Sequence, residues 1–211
     1  MAFTLESYAL TQVNDVKSII DIASTTTTWD QTFIELINGA TVWMENYCGR
    51  TRFGHTTLPV YTDETYDSFF APTDDGKQYW LYVRNWPVVT WTTIAYRSGT
   101  STYTTFDSTS YETYDDEGGI YFYGAMPRGK KIVRLTYSAG YTINWTTQSS
   151  HTLPHDLTYA CRKIVLAAFN KRKSLGIKNE SIGSWSVGYD EIVAADEEVK
   201  NILSTYKRKN V

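Results

Sequence analysis

The chain has 211 residues, of which 42% are apolar and 20% charged, with a formal net charge of −3. That is enough apolar material to fill a core without disulfide or metal staples, and too little charge for a disordered chain. No run of eighteen apolar residues occurs, and residues 1–12 carry no basic start followed by an apolar stretch, so neither a membrane span nor a secretory signal is expected and a cytoplasmic origin is the default.

The first 53 residues read as helical. Val13, Val16, Ile19 and Ile20 recur at helical spacing and predict a short first helix. Thr28-Trp29-Asp30-Gln31 has the form of a capping box, in which the Thr hydroxyl and the Gln side chain satisfy free backbone N–H groups reciprocally. Phe33, Ile37, Ala40, Met44 and Tyr47 follow on one face, and Gly49 supplies a left-handed stop, which predicts a helix over 29–48.

From His55 to about Asn144 the texture changes to short segments rich in Thr, Tyr, Trp and Val between Gly, Pro and Asp clusters. Strands are predicted at Thr57–Tyr66, Tyr79–Val83, Val88–Tyr96, Tyr103–Phe106, Tyr111–Tyr114, Gly119–Tyr123 and Lys131–Tyr137. Turns are predicted at Asp74-Asp75-Gly76, Arg97-Ser98-Gly99 and Glu117-Gly118-Gly119.

After a polar stretch from Thr142 to Thr152, Pro154 and Asp156 mark a helix start. That helix carries Leu157, Ala160, Cys161, Ile164, Val165 and Ala168 on one broad face and ends in Lys171-Arg172-Lys173, cations where the helix dipole is negative. Gly176 breaks it. A strand from Ser184 to Tyr189 and a last helix from about Ala195 to Lys207, marked by Val199, Leu203 and Tyr206, complete the chain. The fold class is therefore α+β: a small helical bundle built from N- and C-terminal helices (1–53 and 151–211) with a β-rich insert (54–150).

Charge divides unevenly. Residues 151–211 hold ten Lys/Arg against seven Asp/Glu, and residues 1–150 hold ten against sixteen, so the two parts carry +3 and −6 and suit different neighbours. Cys48 and Cys161 both fall in predicted helices and read as reduced core thiols, with pairing open only where those helices touch.

Chemistry-bearing patterns are sparse. His151 and His155 are four apart, but Pro154 and the loop before it keep the pair off one helical turn, so no metal site is expected. Asp115-Asp116-Glu117 precedes two glycines between predicted strands and reads as a solvated turn. GxSxG, HExxH, Walker A and GxGxxG patterns are absent, and no convergent acid and base suggests an enzyme; no cofactor is expected. Twelve Tyr and four Trp lie between 54 and 150, which strands favour in any case; a glycan-binding face would need Trp80, Trp86, Trp91 or Trp145 exposed on one side. Lys171, Arg172, Lys173 and Lys178 put four cations within eight residues, suited either to DNA phosphates or an acidic partner, or simply to a solvated helix end.

Asn46-Tyr47-Cys48-Gly49-Arg50, Tyr137-Ser138-Ala139-Gly140-Tyr141, Leu153-Pro154-His155-Asp156-Leu157 and, above all, the run from Lys171 to Tyr189 with its Gly-Ile-Lys-x-Glu-Ser-Ile-Gly-x-x-Ser-Val core give the chain a resemblance to another group. It resembles the head-tail connector (adaptor, or head completion) proteins of tailed bacteriophages over nearly its whole length. The resemblance implies a non-enzymatic ring, commonly of twelve subunits, assembled in the bacterial cytoplasm and carried in the virion neck. Such a ring docks under the portal protein, meets a tail-side stopper or terminator protein, and encloses the channel for double-stranded DNA. Carried over, Val199, Leu203, Tyr206, Lys207 and Arg208 would dock on the portal, their helix covering its apolar face only against that partner. Ile182, Trp185, Val187 and Tyr189 would lie at subunit contacts. The insert is bulkier and more aromatic than the smallest members need, leaving room for contacts with tail or decoration proteins. Heterologous contacts between copies close into rings without any catalytic chemistry.

Overall fold

The computed structural model describes residues 3–68, 79–123, 129–172, 179–182, 185–188 and 197–208. Two compact units form. One joins Met1–Cys48 to Ile143–Lys207; the other holds Gly49–Thr142 with the C-terminal Arg208–Val211.

In the helical unit, α1 (Val13–Ile19), α2 (Asp30–Cys48), α3 (His155–Lys171) and α4 (Glu197–Ser204) surround a core of Phe33, Ile37, Met44, Leu157, Cys161, Val165, Val199 and Leu203. The helical spacing of apolar residues in α2 and α3 places them on facing stripes, which is why these two helices form the main contact. Gly49, with φ +68°, ends α2 in the left-handed region as expected.

The expected capping box does not form. The Gln31 amide is taken by the N-terminal segment: its Oε1 accepts from the Phe3 N–H at 2.6 Å and its Nε2 donates to the Phe3 carbonyl at 3.3 Å. Seven residues on, Asn38 accepts from the Glu6 N–H and donates to the Thr4 carbonyl, and Thr41 accepts from the Leu10 N–H at 3.3 Å. A backbone segment offering both donor and acceptor thus outcompetes the cap, and residues 3–10 are held along one side of α2 by polar side chains two turns apart.

The β unit contains two antiparallel sheets. The four-stranded one has the order β2 (Val60–Ser68), β8 (Gly129–Ala139), β4 (Val88–Arg97), β5 (Tyr103–Thr105); the three-stranded one has the order β3 (Tyr79–Tyr82), β7 (Gly119–Phe122), β6 (Tyr111–Tyr114). Alternation sends Tyr79, Leu81, Ile120 and Phe122 to the inner face of the smaller sheet, in one core with Ile94, Val133, Leu135 and Tyr137 of the larger. The predicted strands all occur, with shifts of a few residues; the Asp74-Asp75-Gly76 turn lies outside the described residues.

Two features escape the periodicity. β1 (Gly54–His55) and β9 (Tyr141–Thr142) form a two-residue parallel pair. Gly140, with φ +110°, lets the chain make it: an added Cβ would lie 2.9 Å from the Phe53 carbonyl oxygen, which accepts the Tyr141 N–H at 2.8 Å. Instead of one strand near 184–189 there is a hairpin, β10 (Asn179–Ile182) with β11 (Trp185–Gly188), pairing Ile182 with Trp185.

Candidate functional site

Three places in the chain carry the expected contact residues, and the C-terminal helix is the best defined. Val199 and Leu203 are fully buried in the helical unit's own core. This corrects the expectation that their face waits for a portal: α4 packs on α2 and α3 of the same chain, and Cys48 Sγ donates to the Leu203 carbonyl at 3.4 Å. The sequence spacing reveals an apolar stripe but not what covers it.

Polar contacts fix the same helix. Glu198 accepts from Lys163 and, at 3.2 Å, from the Tyr159 hydroxyl, both on α3. Beyond α4, the Tyr206 hydroxyl donates to both carboxylate oxygens of Asp156, at 2.7 and 2.8 Å, in the first turn of α3. The Lys207 ammonium lies 4.3 Å from the centre of the Tyr47 ring, and its side chain is exposed. Arg208, counted with the β unit, has its guanidinium 5.8 Å from the Tyr66 ring. Of the five expected docking residues, Lys207 offers the most solvent-facing charge.

The basic cluster divides. Arg172 donates to the Phe169 carbonyl and lies over the Phe169 and Trp29 rings at 3.4 and 4.6 Å, so its cation is committed to aromatic faces. Lys171 is half-buried at the end of α3. Lys173 and Lys178 lie outside the described residues, as does Tyr189. Ile182, Trp185 and Val187 take paired positions in the β10–β11 hairpin.

The histidines and the acidic turn take separate places among the described residues. His151 precedes α3 and its Nδ1 accepts the Asn144 N–H at 3.1 Å, while His155 is exposed on the helix itself; burial, more than its neighbour's charge, holds the His151 pKa below the ordinary value. Asp115-Asp116-Glu117 form a single 3-10 turn closed by Gly118 at φ +62°, and Asp115 accepts from the Trp91 indole at 2.7 Å. Among the described residues no His, Cys, Asp or Glu group suited to a metal ion is found. Cys48 and Cys161 are buried thiols outside any disulfide, and burial pushes the Cys161 thiol up to about 12.

Trp80, Trp86 and Trp91 of the β unit do not share a face, and Trp145 belongs to the helical unit. The Arg50 guanidinium covers Trp86 at 4.1 Å, Trp91 is bound to Asp115 beside Tyr137, and Trp145 lies in the helical unit against His151. Trp80 alone joins an exposed aromatic face, on the outside of the three-stranded sheet.

A buried polar cluster went unread in the sequence. Glu64 Oε2 accepts hydrogen bonds from Tyr66 and from Tyr137, the latter at 2.6 Å, and the Tyr66 oxygen accepts the Arg84 N–H at 3.1 Å. Burial, reinforced by the carboxylate, raises both phenol pKa values well above the ordinary one. A Glu two residues from a Tyr on one strand face was the available signal, but its partner Tyr137 is 73 residues away.

None of the curated proteins compared with the chain matches it. Two solved structures share its fold at low identity. One is the neck of an empty GTA particle with C6 symmetry (14% identity, TM-score 0.50, covering 100% of this chain and 95% of the other), and the second is the virion of a native gene transfer agent (GTA) particle (13%, 0.50, 100% and 96%). The model of the head completion protein family (HCP) matches residues 9–209, almost the full length, so the chain belongs to that family and is a structural, non-enzymatic protein.

Proposed function

We propose that this protein is a neck adaptor: copies assemble head to tail into a ring beneath the portal, join the DNA-filled head to the tail-side stopper or terminator, and surround the channel through which double-stranded DNA passes. The family match over residues 9–209 carries this reading. The fold shared with chains of GTA particles supports it. A moderately charged chain with an acidic first part suits a DNA conduit, because a strongly basic wall would bind phosphates and slow passage.

Within this reading, Lys207 and the Tyr206–Asp156 junction are the portal-facing end, and the β10–β11 hairpin with Ile182, Trp185 and Val187 serves contacts between copies. Val199 and Leu203 support that end from within the core. Particles assembled without the protein are expected to hold a portal but no joined tail, and to leak DNA. Intact infectious virions from a deletion strain would sink the proposal. Lys207→Glu should weaken co-sedimentation with purified portal while leaving the melting temperature nearly unchanged; unaltered co-sedimentation would remove Lys207 from the docking end.

A further inference from the structure

The three-stranded sheet of the β unit presents an outer face of an uncommon kind. Its cross-strand rows are Trp80–Tyr121–Glu112 and Tyr82–Gly119–Tyr114, and Tyr123 continues the outward alternation past the end of β7. Gly119, at the centre of the second row, leaves room for the rings beside it: a Cβ there would lie 3.2 Å from the Tyr82 ring and 3.4 Å from the Trp80 ring. Trp80 is the hub, with ring centres 5.8 Å from Tyr82, 4.9 Å from Tyr114 and 5.0 Å from Tyr121. Tyr114 and Tyr123 remain 38% and 50% exposed. Contiguous exposed aromatic surface of this sort marks a place where something else binds.

The chemistry of the face selects its occupant. Only Trp80 and Tyr82 are near parallel; Tyr114 and Tyr121 tilt by 47° and 54° against Trp80, and Tyr123 stands at 85° to Tyr121. A sugar ring needs a flat platform wider than the Trp80–Tyr82 pair, whereas a cation is attracted by the negative quadrupole of a single ring face. Glu112 stands at the rim, its Oε2 accepting from the Tyr123 and Tyr114 hydroxyls at 2.8 and 3.2 Å. Residues 98–123, which include β6 and β7, contain five Asp/Glu and no Lys or Arg.

From this juxtaposition we propose that the outer face of the β3–β7–β6 sheet is a docking surface for a Lys- or Arg-bearing segment of a neighbouring protein. The ammonium or guanidinium rests on the Trp80 and Tyr114 rings and pairs with Glu112. Cation–π attraction supplies contact, and the negative charge of Glu112 supplies steering and selects against acidic partners. The surface does not depend on the ring or portal reading, since it is built wholly within the β unit.

The test uses the full chain and two synthetic hexapeptides, one alternating Lys and Arg with Gly and the other carrying Asp at the cationic positions. The indole N–H resonance of Trp80, identified by its loss in Trp80→Thr, should shift with the cationic peptide and stay in place with the acidic one. Affinity for the cationic peptide should fall about two- to fivefold in Trp80→Thr and in Glu112→Gln, as expected for loss of one exposed cation–π or charge contact. Glu112→Gln keeps the side-chain shape, so it reads the charge even if the tryptophan variant is less stable. Glu197→Gln, an exposed carboxylate of the helical unit, should leave affinity unchanged. Four outcomes overturn the proposal: a silent indole, equal losses in all three variants, a response to chito-oligosaccharide in place of the cationic peptide, or an indole shift on concentrating the protein alone, which would make a second copy the occupant.

Discussion

At the scale of single residues, the Glu64–Tyr66–Tyr137 cluster ties β2 to β8 by chemistry that a pattern of apolar positions does not contain. A carboxylate on an inward-facing row is tolerated because two phenols donate to it. Removing one donor in Tyr137→Phe should cost about 1–3 kcal/mol, the usual penalty for leaving a buried polar group short of a partner. The pH dependence has a definite sign. Both phenols have raised folded pKa values, so their contribution is fully present below the unfolded tyrosine pKa of about 10 and is lost as pH rises past it, by up to about 1.4 kcal/mol per pH unit for each. Because Tyr137→Phe lacks one such group, the gap in melting temperature between wild type and variant should narrow from pH 9 to pH 12. Parallel curves would show that Tyr137 ionises as readily in the folded chain as in the unfolded one. Tyr137 and Glu64 both fall in predicted strands, yet alternation does not pair them: the β2–β8 register shifts between Tyr61 and Glu64, and only the folded sheet fixes which residues face each other.

At the scale of elements, the helices and most strands were legible because each buries one face and so imposes its own period on the sequence. Helix α2 begins within a residue of expectation, and the turn ending at Gly118 falls where two glycines follow an acidic run. What period cannot convey is the identity of the cover. Val199 and Leu203 announce an amphipathic helix equally well whether α3 or a portal lies opposite, and the structure assigns them to the chain's own core. Leu203→Ala should therefore lower stability by about 2–5 kcal/mol through the cavity it leaves, measured by denaturant melting of the isolated protein. A change below about 0.5 kcal/mol, the range of ordinary surface substitutions, would return the residue to the surface and revive the partner-covered reading. The two-residue β1–β9 pair was illegible for the opposite reason: it is too short to show any alternation, and depends on Gly140 and the Phe53 carbonyl.

At the scale of the whole molecule, the order helix, sheet, helix along the chain resolves into a helical unit assembled from both ends and a β unit inserted between them. Composition announced that order through the change of texture near His55 and again after Tyr141, and the family motifs mark its joints: Cys48-Gly49-Arg50 ends α2, Gly140 makes the β1–β9 pair possible, and Leu153 to Leu157 starts α3. Separate cores imply separate local stabilities. Gly118→Ala is a probe confined to the β unit. An alanine there must hold φ near +62° and its Cβ would lie 2.8 Å from both the Trp86 Cβ and a Val83 methyl. The left-handed penalty and the overpacking together should cost about 2–4 kcal/mol. Hydrogen exchange should then accelerate across β3, β4, β7 and β8, while α2 and α3 keep their wild-type protection. Leu203→Ala should give the converse pattern, with faster exchange in α2, α3 and α4 and none in the sheets. Equal acceleration in both units by either variant would mean that the chain opens as one cooperative body, and the division into units would then describe geometry without describing stability.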